Sequence, residues 1–327
     1  MHDYHKIIEE LKSKAGVPAD DIFEFDNSNL KDIFLNYFEY CQENLINHCT
    51  KYSIQPARFY YRNYYEINAR AGISNGYFII GVNMGTVQEI YSLFYDNNNI
   101  FEQDENLSPT FGTLGTVINI PLGFFMFQLA TLFTYHHELA HLIQKSDILK
   151  TGITEQYVYQ ANPEFSIERH ILEFDADLHG ANATCTQILV QFKLLSIENQ
   201  TEENLAKLLS MGIASIFSYF LLFFNDSEKI YYKEYTHPHP IVRISYVLDC
   251  FIRVAQENLP INNKIRPEPL LKLCFIISDI FFKTTLEKDA VKSFRIHLLN
   301  ESFIIENYVN ELLSTSKEMK NLVMNRV

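Results

Sequence analysis

Apolar positions recur at helical spacing along most of this chain. In residues 29–52 they fall every three or four positions, which predicts an amphipathic helix. Similar patterns cover most of the sequence after residue 83, so the fold is expected to be mainly helical. Further helices are predicted at residues 84–96, 122–146, 164–195, 201–225, 238–258, 267–283 and 290–316.

A strand-like pattern follows the first predicted helix. The segments from Arg58 to Ala69 and from Tyr77 to Asn83 are rich in aromatic and β-branched residues, and the turn-like sequence AGISNG separates them. This arrangement predicts a strand, a turn and a second strand. The predicted fold class is therefore α+β, mainly α-helical, with one small sheet or hairpin.

Two uncharged stretches are long enough to raise the question of membrane insertion. The first, Asn106 to Tyr135, is interrupted by prolines and glycines. The second, Leu208 to Asn225, has 18 residues, which is at the lower edge of spanning length. Its flanks have no strong excess of Lys or Arg on one side, which favours a helix buried within the protein over a membrane span.

Composition narrows the class of protein further. The net charge of −13 argues against nucleic acid or an anionic membrane as the main partner. Five cysteines without a CxxC pair indicate neither a disulfide framework nor a thiolate zinc site, and the N-terminus has no apolar signal segment. We therefore expect a cytoplasmic protein with a single domain over 1–327, comprising a helical part at 1–56, a core at 57–258 and C-terminal helices at 259–327.

One short motif carries most of the chemical information. The sequence TYHHELAHLIQ contains an HExxH motif formed by His137, Glu138 and His141. On a helix, positions i and i+4 lie on one face, so both imidazoles can bind the same metal ion. Glu138 lies beside them, in a position to accept a proton from an activated water. The alternative is two surface histidines beside a glutamate that forms a salt bridge.

A third metal ligand is expected in the next helix, because catalytic zinc takes three protein ligands. Glu173 and Asp177 are four positions apart and share a helix face. Glu173 is the expected ligand, and Asp177 is expected to hold the far nitrogen of a ligating histidine. Asp175 falls on the other face, and His170 is kept as a reserve ligand. The alternative is a solvated acidic helix face.

A third sequence element begins a later helix with two His-Pro pairs, in Thr236-His-Pro-His-Pro-Ile-Val-Arg243. His237 or Arg243 could reach an oxyanion that forms when water attacks a carbonyl. The alternative is that the prolines only set the first helical turn and that Arg243 pairs with a carboxylate. The sequence leaves both interpretations open.

These three elements together resemble the gluzincin metallopeptidases, and most closely the Lit-like phage-exclusion peptidases. The resemblance covers roughly residues 77–258 and implies a zincin-like fold with the small sheet upstream of the HExxH helix. It implies one zinc ion per chain. Carried over by position, the zinc ligands are His137, His141 and Glu173, the general base is Glu138, the supporting aspartate is Asp177, and His237 and Arg243 lie near the site.

The resemblance also implies a function. It predicts a zinc endopeptidase that cuts an intracellular protein, with a role in phage exclusion and a possible activating partner. The peptide substrate would pair with the exposed edge of strand 77–83. The 32-position gap between His141 and Glu173 suggests an inserted loop at 145–163. The alternatives are a membrane-embedded gluzincin of the CAAX-protease or HtpX type, a metal-binding regulatory protein without catalysis, and a defence sensor with a masked site.

Overall fold

The computed structural model describes residues 2–146, 149, 153–154, 165–224, 229–258 and 266–324. These residues are mostly helical and include one small sheet, which confirms the α+β, mainly α-helical class. The α-helices are α1 (Tyr4–Glu10), α2 (Lys31–Tyr52), α3 (Met84–Phe94), α4 (Ile100–Gln103), α5 (Ser108–Phe111), α6 (Leu114–Ile118), α7 (Leu122–Gln144), α8 (Ile167–Lys193), α9 (Glu202–Phe223), α10 (Pro240–Glu257), α11 (Pro267–Leu286) and α12 (Ala290–Ser316).

The small sheet has a strand order that the sequence did not predict. The first predicted strand is split in two, and the turn is shorter than AGISNG, because Ala71 to Ser74 belong to a strand. The order in the sheet is β1-β3-β2-β4, with β3 parallel to β1 and antiparallel to β2. The strands are β1 (Ala57–Arg62), β2 (Ala69–Ser74), β3 (Tyr77–Asn83) and β4 (Ile153–Thr154).

This order corrects the prediction about the substrate edge. β3 is hydrogen-bonded on both sides, to β1 and to β2, so strand 77–83 has no exposed edge on which a peptide could add. The outer side of β1 is covered by N-terminal residues. There the Gln42 side chain accepts a hydrogen bond from Phe59 N, and Phe23 N donates to Tyr61 O.

The helices surround α7 and bury it almost completely. α8 lies closely along α7, and Gly180 allows this approach, because a Cβ atom at that position would lie 2.9 Å from the Phe133 ring. α9 and α3 also contact α7, while α10 packs on α8 and on α9. α7 is therefore an interior helix, and its polar side chains from Thr131 to Gln144 face protein rather than solvent.

The two uncharged stretches take different structures. Among the described residues one helix, α9, is long and apolar enough to cross a membrane, and 89% of its apolar window is buried against the rest of the protein. The first stretch forms α5, α6 and α7, and the chain bends by 77° between Ser108–Ile118 and Leu122–Gln144. Pro121 stands at this break, directly before α7. Such burial of α9 is typical of a core helix that packs against other protein segments.

The segment 145–163, interpreted as an inserted loop, lies mostly outside the described residues. After α12 the chain returns to the interior, where Leu322 and Val323 are buried against the core. This return brings the C-terminal residues next to α7 and α8, which the sequence pattern did not predict.

Candidate metal centre

The HExxH motif occupies the last two turns of α7. His137, Glu138 and His141 are each fully buried, with an exposed fraction of 0%. The helix continues through them because neighbouring residues such as Leu139 and Ala140 are apolar and good helix formers. The alternative interpretation, two surface histidines beside a glutamate that forms a salt bridge, is therefore wrong. Buried polar groups in such a position need polar or ionic partners.

Three ligand atoms converge where α7 faces α8. His137 Nε2 and His141 Nε2 are 3.1 Å apart, and each lies 3.4 Å from a carboxylate oxygen of Glu173. Two donors held about 2.0–2.1 Å from a tetrahedral ion would stand roughly 3.3 Å from each other. The observed spacing fits this value. The group His137, His141 and Glu173 could therefore hold a metal ion.

The far side of each imidazole supports the same conclusion. His137 Nδ1 lies 2.9 Å from Asp177 Oδ1, and a carboxylate only accepts, so Nδ1 carries the proton. His141 Nδ1 lies 2.9 Å from Gln144 Oε1, which is also an acceptor. Both Nε2 atoms then present lone pairs toward each other and toward Glu173. Three electron-rich atoms at this spacing repel one another unless a cation lies between them.

The Asp177 side chain is the centre of a buried ion pair. Arg243 donates to it through Nε at 2.9 Å and through Nη2 at 2.7 Å, and the Tyr246 hydroxyl donates at 2.6 Å. Burial opposes ionisation, but Arg243 and His137 lower the pKa of Asp177 to about 2. The Arg243 guanidinium also lies over the Phe220 ring, 4.7 Å from its centroid. Asp177 thus lies beside the far nitrogen of His137, with Arg243 and Tyr246 on its other side.

Arg243 is close to Glu173 but is bonded to Asp177. Its Nη2 atom is 3.9 Å from Glu173 Oε2, against 2.7 Å from Asp177 Oδ1. The side chain is 3% exposed. This geometry agrees with the alternative in which Arg243 pairs with a carboxylate.

His237 has a more direct place at the site. Its Nε2 atom lies 3.2 Å from Glu173 Oε1, and its Nδ1 atom is 2.8 Å from the Thr236 hydroxyl. Burial alone would raise the pKa of Glu173, but facing imidazoles, including those of His237 and His141, bring it well below its ordinary value. The second histidine, His239, instead caps α10 by accepting a hydrogen bond from Ile241 N. The two histidines of the His-Pro pairs therefore have different positions, His237 beside Glu173 and His239 at the N-terminus of α10.

His170 does not act as a reserve ligand. Its Nε2 atom lies 2.7 Å from the Tyr235 carbonyl, and its Nδ1 atom lies 2.7 Å from the Tyr308 hydroxyl. Both ring nitrogens are therefore used in hydrogen bonds. Burial lowers the pKa of His170 to about 4, so the ring is neutral at ordinary pH.

Two residues that lie behind His141, Gln144 and Asp175, were not predicted as part of the site. Gln144 supports His141, and its Nε2 atom donates to Asp175 Oδ2 at 2.8 Å. Asp175 is 1% exposed, so its assignment to a separate face overlooked that α8 is buried on that side as well. A signal was available, because Gln144 stands one turn after His141 in a buried helix.

Comparisons with protein-family models, with curated proteins and with solved structures found no match to this chain. The function must therefore be argued from the site. Two imidazoles and one carboxylate, all buried and held by neighbouring side chains, could bind a divalent transition metal. Such a set leaves room for further ligands, as metal sites that act on water or a carbonyl require.

Proposed function

We propose that this protein is a zinc-dependent endopeptidase of the gluzincin type. The observation that carries the proposal is the convergence of His137 Nε2, His141 Nε2 and the Glu173 carboxylate at 3.1–3.4 Å. Two histidines and one glutamate form a ligand set of catalytic zinc. The HExxH motif adds a glutamate directly beside the first ligand, which a purely structural metal site does not need.

Each residue has a role in this proposal. His137, His141 and Glu173 would hold the zinc ion, which when bound would supply Lewis-acid polarisation of a carbonyl and activation of water. Glu138 accepts the proton of the attacking water and returns it to the leaving amine. Asp177 and Gln144 would orient His137 and His141 toward the metal, because each lies 2.9 Å from the Nδ1 atom of its histidine.

His237 is the proposed donor to the developing oxyanion. Its imidazole is next to Glu173, with Nε2 3.2 Å from Oε1, and is therefore within reach of a carbonyl at the metal. Arg243 is assigned a positioning role, since its two short contacts are to Asp177. The proposal thus gives different roles to His237 and Arg243, which the sequence offered as alternatives for one role.

The substrate is proposed to be a protein in the cytoplasm, and the physiological role to be phage exclusion with an activating partner. Support for this part comes from the resemblance of the three sequence elements to Lit-like peptidases. A substrate strand cannot add to β3, because both of its neighbours are in place. Strand addition would need the outer strand β4, which pairs with β2 through Arg70 and Ala71.

The first test concerns the metal. Purified protein is expected to contain about one zinc per chain, measured by elemental analysis, and to lose it on chelation. Glu173→Ala and His141→Ala each remove one proposed ligand and should lower the zinc occupancy. Glu168→Ala, which changes another glutamate of α8, should not. Full zinc content in both ligand variants would show that the ligand set is wrong.

The second test separates a peptidase from a metal-binding protein without catalysis. Glu138→Gln should keep the zinc and the fold but lower peptide cleavage by about 10²–10⁴-fold, because the proton acceptor is lost. New protein termini that appear on expression in cells would measure cleavage and identify the substrate. Equal numbers of new termini with the wild type and Glu138→Gln would contradict the proposal and leave a regulatory metal protein.

A further inference from the structure

The C-terminal residues Asn321–Met324 contact the support of a metal ligand. The backbone N–H groups of Val323 and Met324 donate to the two oxygens of Asp175, at 2.8 Å and 2.9 Å. The Asn321 side chain donates to the Gln144 carbonyl at 3.3 Å, where α7 ends. Leu322 and Val323 are 2% and 0% exposed, which anchors this short segment in the core.

These contacts continue without a break to His141. Asp175 accepts from the Gln144 amide nitrogen at 2.8 Å, and the same nitrogen donates to the Leu172 carbonyl at 2.9 Å. The Gln144 amide oxygen then lies 2.9 Å from His141 Nδ1. Four residues at the C-terminal end of the described chain are thus connected to a ligand that precedes them by about 180 positions.

The direction of each hydrogen bond is fixed by chemistry. Backbone N–H groups can only donate, and an ionised carboxylate can only accept. Asp175 and the Leu172 carbonyl therefore face the NH₂ end of Gln144, which leaves the oxygen end for His141. His141 Nδ1 must then carry the proton, so Nε2 keeps its lone pair toward Glu173 and His137.

We propose that Asn321–Met324 is a positioning element that selects the metal-binding tautomer of His141. Without it, the Asp175 carboxylate loses the two donors that fix its oxygens and can turn away from Gln144, which leaves the Leu172 carbonyl to hold the Gln144 amide. A rotated amide presents NH₂ to His141 Nδ1 and favours a proton on Nε2, the tautomer that cannot bind the ion. The inference rests on His141 being a metal ligand, as in the proposed function, but does not depend on peptidase activity.

One experiment compares two shortened proteins. A chain of residues 1–320 lacks the positioning element, whereas a chain of residues 1–324 keeps it and serves as the matched control. Zinc affinity, measured by competition with a chelator, should fall about 10–100-fold in the first and change little in the second, as for other losses of support behind a ligand. Equal affinities of two folded proteins would overturn the proposal.

A second variant avoids dependence on the folding of the shortened chain. Asp175→Leu is close in size to aspartate and removes both acceptor oxygens, so Gln144 and the Val323 and Met324 amides lose this partner. In metal-free protein, ¹⁵N NMR of the imidazoles should show His141 protonated on Nδ1 in the wild type and shifted toward Nε2 in the variant. An unchanged His141 tautomer in Asp175→Leu would overturn the proposal, whether or not the protein cleaves peptides.

A pair of Met324 variants distinguishes a positioning role of the backbone N–H group from a general effect on stability. Met324→Pro removes the N–H that donates to Asp175 Oδ1, while Met324→Ala shortens the side chain and keeps that N–H. We expect weaker zinc binding with proline and near wild-type binding with alanine. Equal loss in both variants would show that packing of the Met324 side chain, not its N–H group, matters, and would contradict the proposal.

Discussion

The two histidines of the candidate metal centre, both on α7, are held in the same tautomer by different kinds of chemistry. Behind His137 stand a carboxylate and a guanidinium, Asp177 and Arg243, supplied by α8 and α10. Behind His141 stands a neutral amide, Gln144, oriented by Asp175 and by backbone N–H groups near the C-terminus. The first support is a buried ion pair between long helices, and the second includes a short terminal segment.

The pKa values of Asp177 and Asp175 shift in opposite directions. The pKa of Asp177 is lowered to about 2, since Arg243 and His137 outweigh its burial. Burial raises the pKa of Asp175 even though Gln144 and the backbone N–H groups of Val323 and Met324 donate to it. Full charges therefore stabilise a buried carboxylate more than neutral donors do. The His137 support is expected to be the stronger one, and the His141 support the one that can be loosened.

The largest effect should come from breaking the ion pair. Asp177→Ala leaves Arg243 buried without its main partner, which should lower the free energy of unfolding by about 3–5 kcal/mol. Loss of the group behind His137 should also weaken zinc binding by roughly 10–100-fold. Urea unfolding and chelator competition measure the two quantities. Asp177→Asn, which keeps one acceptor, should lie between this variant and the wild type.

A matched control is available on the surface. Asp279 forms an ion pair with Lys283 one turn later in α11, and both side chains are partly exposed. Asp279→Ala should change neither stability nor zinc affinity appreciably, because solvent screens such pairs. If Asp177→Ala were as mild as Asp279→Ala, the buried pair could not be the stronger support.

The sequence predicted the parts of this centre that depend on local spacing. The i, i+4 pairs His137/His141 and Glu173/Asp177 each lie on one helix face, and both faces meet as expected. α12 was predicted with its observed ends, because its apolar positions keep one period throughout. Such features follow from helical geometry alone.

What the sequence could not predict depends on long-range packing. β3 is a central strand because β1 pairs with it in parallel, and a parallel neighbour leaves no turn signal between the two strands. Asp175 was assigned to another helix face, although the C-terminal residues bury that face too. The positions of Val323 and Met324 follow from the path of the whole chain, and their hydrogen bonds use backbone atoms that no side-chain pattern encodes.

A pH effect of intermediate size should come from His170, a buried histidine near the site that is not part of the candidate ligand set. His170 is buried and neutral, and its pKa is lowered from 6.5 to about 4. As the pH falls below 6.5 the unfolded chain takes up this proton first, so the native state loses stability progressively down to about pH 4. A shift of this size corresponds to about 3 kcal/mol. Below both pKa values the loss is complete.

His170→Gln should remove this pH dependence. The amide can still donate to the Tyr235 carbonyl and accept from Tyr308, and it does not titrate. Unfolding by urea at several pH values between about 7 and 4, in chelator-treated protein, should give a shallower decline for the variant. Parallel declines would mean that His170 is protonated in the native state.

The smallest effects should come from the outermost member of each support. Tyr246 donates to Asp177 Oδ2 at 2.6 Å in a fully buried place, and Tyr246→Phe removes only that hydroxyl. A hydrogen bond to a charged acceptor is worth about 1.5–3 kcal/mol.

Asn321 donates to the Gln144 backbone carbonyl at 3.3 Å in a half-buried place, so Asn321→Ala should cost about 0.5–1.5 kcal/mol. Zinc affinity should follow the same order, because Tyr246 acts one step from His137, whereas Val323 and Met324 still hold Asp175 when Asn321 is lost. A larger loss of zinc affinity in Asn321→Ala than in Tyr246→Phe would reverse the ranking of the two supports.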